Sequence, residues 1–266
     1  MKMKAYDFQY GEHCLHDFNM MICQFGKKGL DTVSNGSKIT FNTISSSGGS
    51  KHNLVSTEYE ECLETTIQIC KNYCNSDVKE ITSAEFRELT QWLNRKRFLK
   101  FKILSEDYID LYFEASFNIS RIEIDGKLIG LELEVITNRP FALKEPVTLV
   151  VRSVTSDDKH TINDISHEEG YIYPHTKIEV AQDGNLNIHN AIENRDTYIA
   201  NCVAGEVITM DYPVIQSSVS SHNIQNDFNW NFFRVANTYE NSRNNLTVSI
   251  PCTITIKYSP IVKVGL

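Results

Sequence analysis

The sequence predicts a mainly β protein built of two β-sandwich domains. Apolar and polar residues alternate with a period of two in many short stretches, most regularly over Leu246–Tyr258, as expected of strands with one face on a core. Only one stretch has the apolar spacing of an amphipathic helix. The 266 residues suffice for two domains, and Asn138-Arg139-Pro140 offers a break because proline interrupts strand hydrogen bonding. We therefore expect domains at residues 1–140 and 141–266.

The first domain is predicted to open with a strand around Tyr6–Tyr10 and a second apolar stretch at Phe18–Phe25. A segment rich in Gly, Ser, Asn and Thr follows, from residue 26 to about residue 56, which is too long for an ordinary connection. It is either a flexible loop or an arm that orders against another part of the structure or a partner. The alternation inside it favours an arm with a strand or hairpin, and its residues are Ile39, Phe41 and Thr43. A further alternating strand is expected over Tyr59–Lys71.

The one helix is clearly signalled. Thr82 and Glu85 form a capping box at its start, and an apolar stripe at helical spacing, which includes Trp92, runs on towards an end near Lys96. An Asp125-Gly126 pair predicts a type I′ hairpin turn. Around it we predict three strands with these inward residues: Leu99, Phe101 and Ile103; Ile109, Leu111, Phe113, Ala115, Phe117 and Ile119; Leu131, Leu133 and Val135. The domain is therefore expected to be a sandwich or split barrel with one helix against it.

A basic run at Arg95–Lys102 is the main charge feature of this domain. Strand alternation puts Lys100 and Lys102 on the face away from the core. Such a run is either a solvated strand face beside the end of a helix, where the helix dipole favours cations, or a basic stripe that meets an acidic edge of a neighbouring subunit. Both interpretations stay open at this stage.

The second domain is predicted from repeated short strands, at Val147–Val154, Lys177–Val180, Leu186–Asn190, Thr197–Val203, Glu206–Asp211 and Leu246–Tyr258. An aromatic block lies before the last of them, over Asp227–Asn237, and contains Trp230, Phe232 and Arg234. These aromatic residues could form a platform for carbohydrate, because exposed rings stack on sugar faces. We favour the alternative, in which the block packs and Trp230 plugs the end of the sandwich, since large aromatic side chains are mostly buried.

No catalytic, cofactor-binding or metal site is predicted. The sequence lacks a nucleophile elbow, a phosphate-binding glycine loop and a zinc-protease helix motif, and no pair among its acidic residues is singled out for glycosidase chemistry. His13, His16 and Cys23 lie close in sequence but do not follow a recognised metal-site spacing. The seven cysteines are expected to be free thiols. A net charge of −8 disfavours non-specific DNA binding, and no signal peptide or membrane span is expected.

The order of several short motifs is more specific than these patterns. It resembles the C-terminal domain of the distal tail protein (Dit) family of long-tailed, siphovirus-type phages and prophages. The motifs are Gly184-Asn185-Leu186, Ile199-Ala200-Asn201, Gly205-Glu206, Phe228–Arg234, Asn245-Leu246-Thr247 and Lys257-Tyr258-Ser259-Pro260. In the N-terminal half the order of strand, long arm, strand, capped helix and β-meander is also similar to that family. Phe233 departs from it, because many relatives are expected to have proline before the arginine.

The resemblance implies a structural virion protein and no enzyme. Such proteins form a homohexameric ring at the distal end of the tail tube, dock the central tail-tip protein and let DNA pass through as cargo. It implies that residues 26–56 are a belt around the neighbouring subunit, so Ile39, Phe41, Thr43, Lys100 and Lys102 are candidate interface residues. It also implies a galectin-like or carbohydrate-module-like outer domain that can carry receptor-binding or side-fibre proteins.

The expected location is the virion tail tip, after synthesis and assembly in the bacterial host cytoplasm. The alternative function is a carbohydrate-binding module or adhesin that recognises a host surface sugar.

Overall fold

The computed structural model describes residues 6–25, 38–45, 51–72 and 78–264. Residues 26–37 and 46–50 of the predicted arm, and Cys74, lie outside the described residues. The structure is mainly β, as predicted. The chain divides into two compact units. The first consists of the chain up to Lys144 and from Val262 onward, and the second is Glu145–Ile261.

The strands of the first unit are β1 (Phe8–Tyr10), β2 (His13–Cys14), β3 (Met20–Cys23), β4 (Ile39–Ser45), β5 (His52–Tyr59), β6 (Glu64–Lys71), β7 (Leu99–Ile103), β8 (Leu111–Ile124), β9 (Lys127–Thr137) and β10 (Ala142–Lys144). Most of them join one sheet in the order β2-β1-β7-β8-β9-β6-β3, with β10 also paired to β8. Two short 3-10 helices, at Leu15–Phe18 and Glu106–Tyr108, connect strands. β4 and β5 form a two-stranded sheet of their own.

The predicted helix is α1, Ser83–Leu93, and its capping box is confirmed. The Thr82 amide donates to the Glu85 carboxylate at 2.7 Å, and the Glu85 amide donates to Thr82 Oγ1 at 3.3 Å. The helix ends at Leu93 rather than near Lys96. Its apolar side, with Trp92, is buried in the same core as the inward residues of the sheet.

Two strand predictions in this unit are wrong at their ends. The stretch Tyr59–Lys71 is not continuous, because Tyr59 ends β5 opposite Ile39 and β6 begins only at Glu64. Ile109 does not face the core and is 72% exposed, because the short 3-10 helix before it puts Tyr108 inward instead. From Leu111 onward the predicted alternation holds, with Phe113, Ala115 and Phe117 buried.

The elements of the second unit are β11 (Val147–Ser153), β12 (Asp158–Asn163), β13 (Gly170–Ile172), β14 (His175–Val180), β15 (Gly184–Asn190), β16 (Arg195–Cys202), β17 (Val207–Asp211), β18 (Val214–Ser217), α2 (Ile224–Asp227), β19 (Val235–Asn237), β20 (Arg243–Val248) and β21 (Cys252–Tyr258). A five-stranded sheet, β11-β21-β14-β17-β18, and a four-stranded sheet, β12-β20-β15-β16, contribute to one core. This unit is therefore a β-sandwich. The last strand, β22 (Ile261–Val262), pairs with β10.

The most regular alternating stretch of the sequence, Leu246–Tyr258, is two strands rather than one. β20 ends at Val248 and belongs to the four-stranded sheet, whereas β21 starts at Cys252 in the five-stranded sheet. The chain crosses between the sheets at Pro251, which has no amide hydrogen for a strand ladder. Both sheets face one core, so the inward residues are all buried although the strand is broken.

Within the described residues, no helix is long and apolar enough to cross a membrane.

Candidate functional site

The first candidate surface is the arm hairpin, the antiparallel pair of β4 and β5. Its register runs from Ile39 opposite Tyr59 to Ser45 opposite His52, with a bulge after Asn42. Cross-strand partners share a face of such a pair. Phe41 therefore lies beside Thr57, and Thr43 beside Leu54. The alternation noted in the sequence thus becomes one face of a hairpin.

The two faces of the arm hairpin differ in chemistry. One face is mostly polar: Asn42 donates to Ser56 at 3.0 Å, and Thr40 hydrogen bonds Glu60. It also carries one exposed apolar residue, Ile44, which is 63% exposed. On the other face, Ile39, Phe41 and Leu54 are 39%, 62% and 59% exposed. A two-stranded hairpin with an uncovered apolar face is marginally stable by itself. This apolar face is the feature of the first unit that most needs a partner.

The basic stripe lies on the outer face of β7, as the alternation predicted. Lys100 is exposed, pairs in register with Glu114, and places its ammonium group 4.5 Å from the centre of the Tyr112 ring. Lys102 is half-buried, in register with Gln9. These contacts lie within the subunit itself.

The aromatic block of the second unit is partly core. Phe228, Phe232 and Phe233 are 3 to 4% exposed, in agreement with packing. The prediction that Trp230 plugs the end of the sandwich is wrong, because its side chain is 56% exposed. The reason is the local turn: Trp230 has a left-handed φ of 59°, and Asn229 Oδ1 accepts the amide of Asn231 at 3.1 Å. The turn directs the indole outward while the phenylalanines on both sides point in.

Trp230 is one end of a row of rings that we call the aromatic strip: Trp230, Phe232, Tyr212, Tyr173 and Tyr171. Successive ring centroids are 6.4, 5.3, 4.2 and 5.5 Å apart. Tyr212 and Tyr171 are each 55% exposed, whereas Phe232 is buried and Tyr173 half-buried. Sequence reasoning missed the three tyrosines, because they come from two other segments of the chain. The alternation Tyr171-Ile172-Tyr173 was the available signal for two of them.

Arg234 continues this row, and its charge is paired within the unit. Its guanidinium lies 3.8 Å from the centre of the Tyr171 ring. It donates to both Glu193 carboxylate oxygens, at 2.9 and 2.5 Å, and these bonds raise the pKa of Arg234. Since the pair is internally neutralised, Arg234 acts by holding Tyr171 in place.

A buried polar cluster centres on Glu206, which is fully buried. Its carboxylate accepts from Ser217 Oγ at 2.5 Å and the Val203 amide at 3.0 Å, and lies 2.6 Å from His222 Nδ1. Burial acts to raise the pKa of Glu206, but the bonds from Ser217, His222 and Val203 hold it below its usual value. His222 Nε2 lies 3.2 Å from Asp227 on α2. The Glu206 and His222 side chains are closed to solvent, so these contacts fasten α2 to the sandwich.

Several residues that carried the family resemblance meet at this corner. The Asn201 amide donates to Asn185 Oδ1 at 3.0 Å, and Asn201 Nδ2 donates to Asp227 at 3.3 Å. Asn201 has a left-handed φ of 56°. Glu206 follows Gly205, whose φ is 83°. The motifs are thus turn residues and the polar groups that fix them.

Across the described ranges, no group of three or more His, Cys, Asp or Glu side chains is placed to hold a metal ion. The cysteines described there, Cys14, Cys23, Cys62, Cys70, Cys202 and Cys252, are free thiols.

Comparisons with known proteins decide the family. Residues 3–139 match the family described as phage tail protein N-terminal domain, and residues 141–258 match the one described as phage tail C-terminal domain. The chain belongs to this phage tail protein family. Among solved structures, the tail protein is similar to the Dit protein of phage SPP1, a protein described as a paradigm of the hub adsorption apparatus in phages that infect Gram-positive bacteria.

That likeness has a TM-score of 0.61 at 12% identity and covers 96% of this chain and 99% of SPP1 Dit. It shows a shared two-domain β fold, and the predicted resemblance to distal tail proteins is confirmed. No curated protein matches the chain.

Proposed function

We propose that this tail protein is a distal tail hub. Six copies form a closed ring at the end of the tail tube, dock the central tail-tip protein below it, and leave a channel through which DNA passes. The family and the fold shared with SPP1 Dit support this proposal. The net charge of −8 suits a channel wall past which DNA slides without binding. The role is mechanical, so we propose no enzymatic activity.

The observation that carries the ring is the uncovered apolar face of the arm hairpin. Phe41 and Leu54 are each about 60% exposed and lie on a two-stranded sheet that pairs with no other strand in the described part of the chain. If each arm covers its face on the next subunit, every copy gives one contact and receives one. Such head-to-tail contacts close into a ring when the rotation per subunit fits.

The other proposed contacts follow from this arrangement. The stripe with Lys100 and Lys102 meets an acidic edge of the neighbouring subunit. The second unit folds independently as a galectin-like outer domain and carries receptor-binding or side-fibre proteins. The protein is made and assembled in the bacterial host cytoplasm and ends in the virion at the tail tip.

The test is the mass of the full chain in solution, measured by light scattering after size exclusion. We expect a species of about six times 30.4 kDa, or a back-to-back pair of such rings. Phe41→Asp with Leu54→Asp should yield folded monomers, because two charges would have to be buried at the contact. Asn53→Asp, which puts a charge on the other face of the same hairpin, is the matched control and should leave the ring intact. A monomeric wild type at high concentration, or a double variant that still forms rings, contradicts the proposal.

A further inference from the structure

The second unit exposes three aromatic rings in a row that its own fold holds rigid. Trp230, Tyr212 and Tyr171 are each more than half exposed. Each packs against an inner ring: Trp230 and Tyr212 contact Phe232, and Tyr171 contacts Tyr173. The orientation of the exposed rings is therefore fixed before any ligand arrives, which lowers the entropy lost on binding.

The backbone at Trp230 directs this ring outward, beside the other rings of the aromatic strip. A bulky residue at a φ of 59° is an outlier, because the Cβ atom crowds its own backbone there. Asn229 holds the turn by accepting the amides of Tyr198 and Asn231, at 3.2 and 3.1 Å. Asparagine or glycine would fit this conformation with less strain, so the large ring is not explained by the turn itself. Strained residues that the surroundings hold in place are common at binding sites.

We propose that the aromatic strip binds a neutral oligosaccharide of equatorially substituted pyranose rings. The C–H groups on the flat face of such a sugar carry partial positive charge and fit the negative face of an aromatic ring. The hydroxyl groups of Tyr171 and Tyr212 lie at the polar tips of exposed rings, where they can exchange hydrogen bonds with sugar hydroxyls. This site goes beyond the hub proposal and does not depend on it.

Charge decides against the other ligands that stack on rings. Single-stranded nucleic acid stacks on such platforms, but it also requires cations along its backbone. The charge of Arg234, the cation beside the strip, is balanced by Glu193, to which it donates two of its N–H groups, and the chain as a whole is acidic. The same argument excludes an anionic polysaccharide. A neutral sugar needs no counter-charge, so it fits the surface as built.

The test titrates the full chain with cellohexaose and chitohexaose by isothermal calorimetry. We expect saturable binding of at least one of them, together with a change in Trp230 fluorescence over the constant signal of the buried Trp92. Trp230→Asn and Tyr212→Ser should each weaken binding at least tenfold. Trp230→Asn suits the left-handed backbone, so the loss would report the missing ring and not a disturbed turn.

Tyr239→Ser is the matched control, because Tyr239 lies in the same unit, is 80% exposed and also has a left-handed φ, of 65°. It should bind as the wild type does. No saturable heat with either hexaose, or binding by Trp230→Asn equal to that of the wild type, overturns the proposal. So does an equal loss in Tyr239→Ser. Because the variants leave the arm untouched, the mass in solution tests the hub proposal separately.

Discussion

Replacing Trp92 with alanine tests how the first unit is held together. The indole is 5% exposed and stacks on Phe18, with centroids 4.4 Å apart and ring planes at 15°. It also stacks on Phe8 at 5.8 Å, and its Nε1–H donates to the Tyr10 carbonyl at 3.0 Å. Trp92 therefore links α1 to β1 and to the chain before β3.

The expected cost has two parts. Truncation of a buried tryptophan to alanine removes the burial of a large ring and leaves a cavity, for about 3–5 kcal/mol. Part of that sum is the hydrogen bond, because the Tyr10 carbonyl loses its indole donor. Trp92→Phe separates the two, since it keeps most of the ring contacts and loses the donor, and should cost about 1–2 kcal/mol. The difference between the variants measures packing alone.

The assay is equilibrium urea unfolding of the full chain. Circular dichroism follows both units, and in Trp92→Ala the remaining tryptophan is Trp230, whose fluorescence reports the second unit. We expect the first unit to unfold at lower urea and the fluorescence transition to stay where it is. A loss below about 1 kcal/mol would show that the helix is peripheral. A fluorescence transition that shifts in step would refute independent folding of the second unit.

Three further predictions concern single residues. Glu206→Gln should cost about 3 kcal/mol near neutral pH, because it removes a buried charge from its partners. The folded pKa of Glu206 is held below 4.5, so its contribution to stability is full above pH 4.5 and is lost as the pH falls through the folded value. The stability of the variant in urea unfolding should therefore depend less on acid than that of the wild type. Gly130→Ala should cost about 1–3 kcal/mol by thermal unfolding, because a Cβ atom there would lie 2.5 Å from the Phe25 ring and 2.8 Å from the Ile69 carbonyl oxygen, and an unchanged melting temperature would contradict this. Trp230→Asn should lower stability by no more than about 0.5 kcal/mol, since relief of the left-handed backbone offsets lost ring contacts, and a larger loss would show that the ring serves packing.

Which residues point inward could be predicted because alternation depends only on the chain itself. Leu131, Leu133 and Val135 on β9 are fully buried, as their spacing indicated. The helix start was equally local, because both capping groups lie within one turn. Such features do not depend on which strand pairs with which.

Sheet membership could not be predicted in this way. In Leu246–Tyr258 every second residue points inward on both sides of Pro251, although the chain passes from one sheet to the other there. The alternation continues across the break because both sheets of a sandwich face a common core. The pattern therefore identifies the buried face and hides the break. In the same way, Tyr59 has the position expected of an inward residue of β6 but pairs with Ile39 in the arm hairpin.

The surfaces proposed to bind partners show a second reason why sequence-based prediction fails. Trp230 was expected inside because large rings are usually buried, and residue type is a good guide only while the backbone is ordinary. The left-handed turn at Trp230 reverses the side chain, and the turn depends on Asn229 bonding Tyr198 on β16, a contact between distant residues. The strip also needs Tyr171 and Tyr212 from separate segments, which meet only after the sandwich has formed. In this tail protein the core residues follow from local pattern, whereas the exposed Trp230 ring depends on long-range contacts that hold an unfavourable local backbone.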